Sequence, residues 1–313
     1  MSPTPLQPRR GVIEHRGCPL AYTVRGEGPP VLMIQGVGVH GDGWTPQTDA
    51  LSKRFSCATF DNRGMGRSLP AGAAITVAQM AEDARAVMDA LGWESAHVVG
   101  HSLGGPVALE LALSARDRVR SLALLCTFAR GADATRLTAW MLWVGLRTRI
   151  GTRRMRRNAF LQMVMPPGAL AREDRAALAS KLEPLFGHDL ADSPPVAMKQ
   201  LRALGAYDAT ARLGALAGTP TLVLSAAYDP IAPPRSGKAL AAGIPGARYV
   251  EFAHASHGLP IQSPGEVNPL LAEHLAAAEQ RSVDSVDSVD SVDSVDSVDS
   301  VDSVDSVDSA DSV

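Results

Sequence analysis

One serine of the chain stands in a context that can activate its hydroxyl group. Ser102 is the centre of the pentapeptide Gly-His-Ser-Leu-Gly at 100–104, between an apolar run at 96–99 and a segment of helical composition. A strand that turns sharply into a helix leaves room only for small residues beside the turn and holds the serine in a strained conformation. The pattern predicts a nucleophile at the carboxyl end of a strand, above a helix N-terminus that stabilises developing negative charge.

The two partners that such a serine requires follow predicted strands later in the chain. A serine hydroxyl is a poor nucleophile at neutral pH, so it needs a base, and the base needs a group that orients it. The run at 221–225 leads to Asp229, and the run at 248–252 leads to His257. The chain order Ser102, Asp229, His257 therefore predicts a nucleophile, an acid and a base at one edge of a sheet.

The elements that must position these residues alternate along the chain. Apolar residues recur at helical spacing from Val77 to Leu91 and end at Gly92, and a second helix follows Ser102 as far as Ser114. Six apolar or β-branched runs bounded by Gly, Pro or Asp are predicted as buried strands: 31–35, 57–60, 96–99, 119–126, 221–225 and 248–252. The alternation predicts the α/β fold class, a mostly parallel sheet with helices on both faces.

Two segments break this alternation. Residues 128–205 have helical composition without a convincing strand, and they are predicted to be an inserted helical subdomain, which we call the cap segment. Residues 282–313 repeat Ser-Val-Asp, and this three-residue period matches neither the helix period nor the strand period. Their ten Asp side chains repel one another, so we predict disorder. We expect a flexible terminus at 1–10, a core at 11–127 and 206–281, the cap segment and a disordered tail.

Charge and hydropathy narrow the classes of partner. The net charge is −3, and subtracting the ten negative charges of the tail leaves +7 on the first 281 residues. That charge is too small and too dispersed to indicate nucleic acid. The chain shows neither a secretory signal nor an apolar run close to the roughly 20 residues that span a bilayer, which favours a cytoplasmic protein without a membrane partner. The separated cysteines Cys18, Cys57 and Cys126 are predicted to be reduced core thiols rather than metal ligands.

With these motifs in place, the sequence from about Gly11 to Glu279 resembles the α/β-hydrolase superfamily. Residues 100–104 match the nucleophile elbow of the family, and Asp229 and His257 match its acid and its base. The segment 34–38 is similar to the family's oxyanion loop, and the resemblance implies that the backbone N–H groups of Val37 and Leu103 form the oxyanion hole. Relatives often have His-Gly in this loop where the chain has Gln-Gly, a change that removes no backbone donor.

Two competing assignments are weighed against the family pattern. The catalytic histidine of relatives is followed by an acidic or amide residue after five positions, Pro after seven and an apolar residue after ten, which fits His257 and not His254. Asp133 could supply the acid instead, but it lies several residues beyond its strand, so Asp229 is preferred. The segment 61–68 looks like the Asp-x-Arg-Gly-x-Gly-x-Ser segment of the family, and we expect it to be structural.

Six arginines lie within eleven positions of the cap segment: Arg147, Arg149, Arg153, Arg154, Arg156 and Arg157. Three interpretations stay open for them. They could form a solvated helix face, they could bind a carboxylate or phosphate of the substrate in the cleft, or they could attract the acidic tail.

The resemblance implies a cofactor-free serine hydrolase that cleaves a small carboxylic ester or lactone. Its partner would be a small-molecule substrate, and the sequence gives no sign of the oligomeric state. A cofactor-free haloperoxidase or perhydrolase and a carbon–carbon bond hydrolase are alternatives with the same three residues. A non-catalytic ligand-binding protein of this fold is the alternative from another class, since a fold does not determine a function.

Overall fold

Eight strands form one sheet in the computed structural model of the chain, which describes residues 7–134 and 138–293. The strands are β1 (Arg9–His15), β2 (Cys18–Arg25), β3 (Pro30–Ile34), β4 (Ser56–Phe60), β5 (Ala96–His101), β6 (Val119–Leu125), β7 (Thr221–Ala226) and β8 (Arg248–Phe252). Their order in the sheet is β1-β2-β4-β3-β5-β6-β7-β8. β2 is antiparallel to β1 and β4, whereas all other neighbouring strands are parallel.

The predicted α/β class is confirmed, and each of the six predicted strands is present. The hairpin of β1 and β2 was not predicted, because β1 is a half-exposed edge strand of mixed polarity and β2 contains Pro19. The prediction of a flexible terminus at 1–10 is wrong for its last two residues. β1 begins at Arg9 and pairs with β2 along its whole length, while residues 1–6 lie outside the described part of the chain.

Helices cover both faces of the sheet. Those outside the cap segment are α1 (Thr45–Leu51), α2 (Val77–Ala90), α3 (Gly104–Ser114), α10 (Pro234–Gly243), α11 (Leu259–Gln262) and α12 (Pro264–Asp293). α2 begins where the Thr76 side chain accepts a hydrogen bond from the Gln79 N–H, and Gly92 follows its end with a φ of 70°. α2, α3 and α10 pack into one apolar cluster and α1 and α12 into another, so both faces of the central strands are buried.

The cap segment contains α4 (Gly131–Ala134), α5 (Ala139–Arg147), α6 (Arg153–Val164), α7 (Pro167–Arg172), α8 (Arg175–Phe186) and α9 (Ala197–Gly205). A third apolar cluster joins α6, α7 and α8 and includes Val39, which follows β3. An antiparallel bridge between Arg130 and Asp208 closes the two ends of the insertion. The core and cap boundaries stay predictions, since helices alone do not define a separate domain.

The last helix runs away from the cap segment. α12 begins near the carboxyl ends of the strands, and its Glu279 lies 2.9 Å from Arg120 at the amino end of β6. The helix continues to Asp293, so the structure differs from the predicted disorder over residues 282–293. An existing helix propagates without a new nucleus, which favours this continuation. Residues 294–313 lie outside the described residues. Within the described ranges, no helix is both long and apolar enough to cross a bilayer.

Candidate active site

Ser102 occupies the sharp turn between β5 and α3. Its φ of 53° lies in the left-handed region, which non-glycine residues rarely adopt. A Cβ on Gly100 would lie 2.3 Å from the Gly104 carbonyl oxygen, and a Cβ on Gly104 would lie 2.0 Å from the Ile34 carbonyl oxygen. Both glycines are therefore required by the close approach of backbone at the turn, as the sequence predicted.

Neighbouring strand ends hold this turn in place. The Ser102 N–H donates to the carbonyl oxygen of Leu125 at 3.1 Å. The Thr127 hydroxyl donates to the Ser102 carbonyl oxygen at 2.7 Å. Strained backbone persists when its surroundings fix it from several sides, and here both polar groups of the Ser102 backbone are bonded to the end of β6.

The structure brings Ser102, His257 and Asp229 together in one hydrogen-bonded chain. His257 Nε2 lies 3.0 Å from Ser102 Oγ, and His257 Nδ1 lies 2.8 Å from Asp229 Oδ2. A carboxylate only accepts, so Nδ1–H donates to Asp229 and leaves Nε2 free to accept the serine proton. All three side chains are buried. The arrangement has the geometry of a nucleophile, a base and an orienting acid.

Asp229 is fixed by groups on both sides of its carboxylate. Oδ1 accepts the backbone N–H groups of Ile231 and Ala232, each at 2.8 Å, while Oδ2 accepts from His257. The buried thiol of Cys126 lies near the Asp229 carboxylate. Burial, together with the nearby carboxylate, raises the pKa of the Cys126 thiol well above its ordinary value. Cys126 therefore stays a neutral thiol.

Two backbone N–H groups beside Ser102 lack a partner. Among the described residues, no acceptor receives the N–H of Val37, which lies in the loop after β3, or the N–H of Leu103, which directly precedes α3. Gly36 brings the loop close, because a Cβ there would lie 3.0 Å from the Ser102 Cβ. Free donors at this position could bind a negatively charged oxygen attached to the serine, which is the predicted oxyanion hole.

Gln35 explains how the oxyanion loop is oriented without the histidine of relatives. Its side-chain oxygen accepts the N–H of Gly36 at 3.0 Å. The Asn62 amide donates to the Gln35 carbonyl oxygen at 2.9 Å, and Asp61 accepts the N–H of Gly41 at 2.8 Å. The segment 61–68 thus supports the loop from below, in agreement with the structural role expected for it.

Two residues of the cap segment bind the oxyanion loop at a single glycine, and the sequence did not predict them. The Gly38 N–H donates to Gln200 Oε1 at 2.9 Å, and His188 Nε2 lies 2.9 Å from the Gly38 carbonyl oxygen. Gly38 directly follows Val37, so these contacts bear on the peptide next to the predicted donor. Gln200 is fully buried on the apolar face of α9. A polar residue on an apolar helix face is unusual, and this feature of the sequence could have indicated a buried contact.

His101 lines the site beside the nucleophile. Its Nε2–H donates to the His257 carbonyl oxygen at 2.9 Å, and its ring meets Trp44 edge to face. Burial lowers the pKa of His101 to about 3, so the imidazole is neutral. A neutral ring held by the backbone of His257 has a packing and hydrogen-bonding role beside Ser102.

The two rejected candidates lie elsewhere. His254 is exposed and bonds to Glu266 at 2.9 Å, while Asp133 lies in α4 and pairs with Arg130 at 3.2 Å. Neither contacts Ser102. All three cysteines are buried and free. The described residues contain no group of three or more side chains arranged to hold a metal ion.

A cavity of about 430 Å³ leads to Ser102 and His257. Most of its lining is apolar and much of it comes from the cap segment, including Met141, Phe160, Met163, Val164, Phe186 and Leu204. Its volume is within the usual range for small-molecule sites. The cavity therefore offers an apolar environment for the non-reacting part of a substrate.

The arginines of the cap segment divide into groups. Arg153 and Arg157 both bind Asp189, and their hydrogen bonds hold the pKa of this carboxyl well below its ordinary value. Arg147 lies over the ring of Trp143, and Arg149 is the member of the cluster that lines the cavity. The direction of α12, away from these helices, gives no support to a pairing with the tail.

Comparisons with known proteins agree with this architecture. A family model described as alpha/beta hydrolase fold matches residues 29–264. A protein named "Putative carbamate hydrolase RutD" from Azorhizobium caulinodans is 32% identical over 252 residues, which are 80% of this chain and 93% of that protein. The enol-lactonase of Burkholderia xenovorans LB400 is similar in structure, with a TM-score of 0.71, 27% identity and coverage of 85% of this chain and 100% of that chain. A thermophilic esterase from Thermogutta terrifontis also has a TM-score of 0.71, with 26% identity and coverage of 86% and 99%.

Proposed function

The chain belongs to the α/β-hydrolase family and is a hydrolase, and from this premise we propose that it cleaves a small carboxylic ester or lactone through an acyl-enzyme on Ser102. The observation that carries the proposal is the continuous hydrogen-bonded chain from Ser102 Oγ through His257 to Asp229. In such a chain each group has one role, as nucleophile, base or orienting acid.

The reaction begins with proton transfer. His257 Nε2 accepts the Ser102 proton while Ser102 Oγ attacks the carbonyl carbon of the substrate. Asp229 stabilises the imidazolium that forms and keeps Nδ1–H directed toward itself. The N–H groups of Val37 and Leu103 donate to the oxygen that becomes negative, and α3 begins directly behind it.

The second half of the reaction regenerates the serine. His257 gives its proton to the leaving alcohol oxygen, and the acyl group stays on Ser102. A water molecule, deprotonated by His257, then attacks the acyl carbon and releases the acid. For a lactone, the alcohol and the acid are released as one hydroxy acid. No cofactor is required for any of these steps.

The apolar lining supports a substrate with a hydrocarbon part. The cavity presents few polar groups besides those around Ser102, so alkyl or aryl ester groups gain free energy by leaving water there. The similarity to an enol-lactonase and to an esterase points in the same direction. Cleavage of a carbamate is a second candidate, because relatives about 32% identical are named as carbamate hydrolases.

A substrate panel with a Ser102→Ala variant tests the proposal. We expect hydrolysis of p-nitrophenyl esters of graded chain length or of lactones, and a loss of kcat/KM by roughly four to six orders of magnitude in the variant. Ser114→Ala, at the end of α3 and away from the site, is the matched control. Wild-type turnover by Ser102→Ala would contradict the proposal, provided that circular dichroism shows both variants folded.

The remaining alternatives give different results in the same panel. A carbamate preference would appear as faster release from aryl carbamates than from esters of the same alcohol. Peroxide-dependent bromination in acetate buffer that exceeds ester hydrolysis would favour a perhydrolase, and turnover of β-diketones would favour a carbon–carbon bond hydrolase. Binding of such compounds by folded wild-type protein without any turnover would indicate a ligand-binding protein.

A further inference from the structure

Exposed apolar side chains are concentrated on one part of the cap segment. Among the described residues, eleven large apolar side chains are exposed, and eight of them lie between positions 140 and 201. Four of these eight follow one another closely in the sequence: Leu142, Trp143, Leu146 and Ile150, which are exposed by 56%, 53%, 55% and 59%. We call these four residues the α5 surface. Single exposed apolar residues are normal on proteins, but a contiguous group marks an interaction site.

Helix α5 is apolar on both of its sides. Val144 is buried, and Met141 and Gly145 line the cavity, so the inner side is used by the fold. The outer side carries Leu142, Trp143 and Leu146. A helix that is apolar all round is normally buried on all sides, so the outer side of α5 requires a partner.

The charges around this surface indicate what that partner is. Residues 139–164 contain six arginines and neither Asp nor Glu. Arg153 and Arg157 bind aspartates, whereas Arg147, Arg149, Arg154 and Arg156 have no carboxylate partner within the described residues. A second copy of the chain would bring a like-charged cluster against this one, which is unfavourable. An apolar surface with a basic rim instead matches an anionic lipid surface.

We propose that the α5 surface docks onto the surface of an anionic phospholipid bilayer. Tryptophan side chains are favoured at the headgroup level, where Trp143 would lie, and the long arginine side chains can reach lipid phosphates while Leu142 and Leu146 enter the acyl boundary. The sequence led us to expect no membrane partner because no segment can span a bilayer. Peripheral docking needs no such segment.

Docking would also place the cavity next to the lipid. Trp140 and Arg149 line the cavity and flank the α5 surface. An amphiphilic ester dissolved in the bilayer could then enter the cavity without crossing water. This consequence rests on the proposed function, whereas the docking itself does not.

Vesicle binding by the full-length protein tests the docking directly. We expect binding to vesicles of equal parts phosphatidylcholine and phosphatidylglycerol, with a blue shift of tryptophan fluorescence and quenching by lipids brominated at shallow positions. Trp143→Ser with Leu146→Ser should weaken binding by roughly 30-fold or more. Arg147→Gln with Arg154→Gln should weaken it by roughly 30-fold, about fivefold for each charge.

Matched controls separate this surface from general charge and hydropathy. Val12→Ser with Leu69→Ser removes two exposed apolar side chains that lie outside the cap segment, and Arg9→Gln with Arg10→Gln removes two exposed charges there. These variants should bind like the wild type. The proposal is overturned by absence of binding to anionic vesicles or by equal losses in the controls. It is also overturned by a dimer that Trp143→Ser with Leu146→Ser abolishes, or by binding that arises only after deletion of residues 282–313. None of these readings depends on catalysis, so failure of the proposed function would be recognised separately.

Discussion

The carboxyl edge of the sheet and the cap segment hold their polar groups in different ways. At the sheet edge, Ser102, His257 and Asp229 are buried, follow strand ends closely and are joined by hydrogen bonds of 3.0 Å and 2.8 Å. In the cap segment, Arg153 is half exposed where it binds Asp189. Exposed ion pairs are screened by solvent and contribute little to stability, whereas a buried group loses interactions that solvent cannot replace when its partner is removed.

This contrast separates two contributions to the site. The sheet edge carries the groups that we propose to react, and their positions are set by backbone that is part of the fold. The cap segment supplies the apolar lining and a few buried contacts, among them the bond from Gly38 to Gln200 beside the predicted oxyanion hole. Substitutions of the same residue type should therefore have large effects in the first region and smaller effects in the second.

The largest effect is expected for the base. His257→Gln should lower kcat/KM by roughly three to five orders of magnitude, because His257 is the one side chain among the described residues that lies within hydrogen-bond distance of Ser102 Oγ. His254→Gln, three residues away and exposed, should stay within about twofold. Steady-state kinetics on the best ester of the panel measure both, and comparable losses in the two variants would contradict the assignment of the base.

Glycine-to-alanine substitutions at the sheet edge and in the cap segment should change the free energy of unfolding in opposite directions. Gly104→Ala would place a Cβ 2.0 Å from a backbone oxygen of β3, so we expect the free energy of unfolding to fall by roughly 3 kcal/mol or more. Gly145→Ala in α5 meets nothing within 4 Å and should raise it by about 0.5–1 kcal/mol through the better helix propensity of alanine. Urea denaturation gives both values. A tolerated Gly104→Ala would show that the turn is not closely packed.

Acid should weaken the core before it weakens the ion pairs of the cap segment. Burial lowers the pKa of His101 to about 3 and the pKa of both His97 and His274 to about 4, so the unfolded chain binds protons that the folded chain does not. Stability is complete above the unfolded pKa of about 6.5 and falls below it, by about 1.4 kcal/mol per pH unit for each histidine. The Asp189 pairs lose stability only at lower pH, because their pKa is depressed from an acidic value.

Urea denaturation between about pH 7.5 and about pH 5 measures this slope. His274→Gln keeps an amide N–H for the Leu122 carbonyl oxygen and removes one of the three titrating groups, so the slope should be reduced by about a third. A free energy of unfolding that is constant over this range would contradict the neutral, buried state of the three histidines.

An effect on catalysis smaller than that of the base is expected where the cap segment touches the oxyanion loop. Gln200→Leu removes the acceptor of the Gly38 N–H, so kcat should fall by roughly tenfold to a hundredfold with little change in KM. Gln200→Glu keeps an acceptor oxygen and should recover part of the rate, and the exposed Lys199→Leu is the control on the same helix. A change in KM alone would mean that Gln200 acts on substrate binding and not on the position of the loop.

The sequence predicted the sheet edge better than the cap segment for a physical reason. Ser102, Asp229 and His257 each follow a short apolar run, and the ends of parallel strands meet at one edge whatever the intervening loops contain. The roles of these residues and of Val37 and Leu103 stay predictions until activity is measured. β1 and β2 were not predicted because neither has an apolar run or an uninterrupted alternation.

Contacts made by the cap segment have no comparable local signal. Gln200 lies 162 positions from Gly38, and helix periodicity gives the buried face of α9 but not the loop that this face meets. The arginine cluster likewise left three interpretations open, since only the folded chain separates the paired Arg153 from the cavity-lining Arg149.

The central claim, that Ser102 is an activated nucleophile, is tested most directly by covalent labelling. Folded protein is treated with a fluorophosphonate probe, and its intact mass and the modified peptide are determined. We predict a single adduct on Ser102 in the wild type, none in Ser102→Ala and strongly slowed labelling in His257→Gln. Absence of labelling in folded wild-type protein, or equal labelling of Ser102→Ala, would contradict the claim.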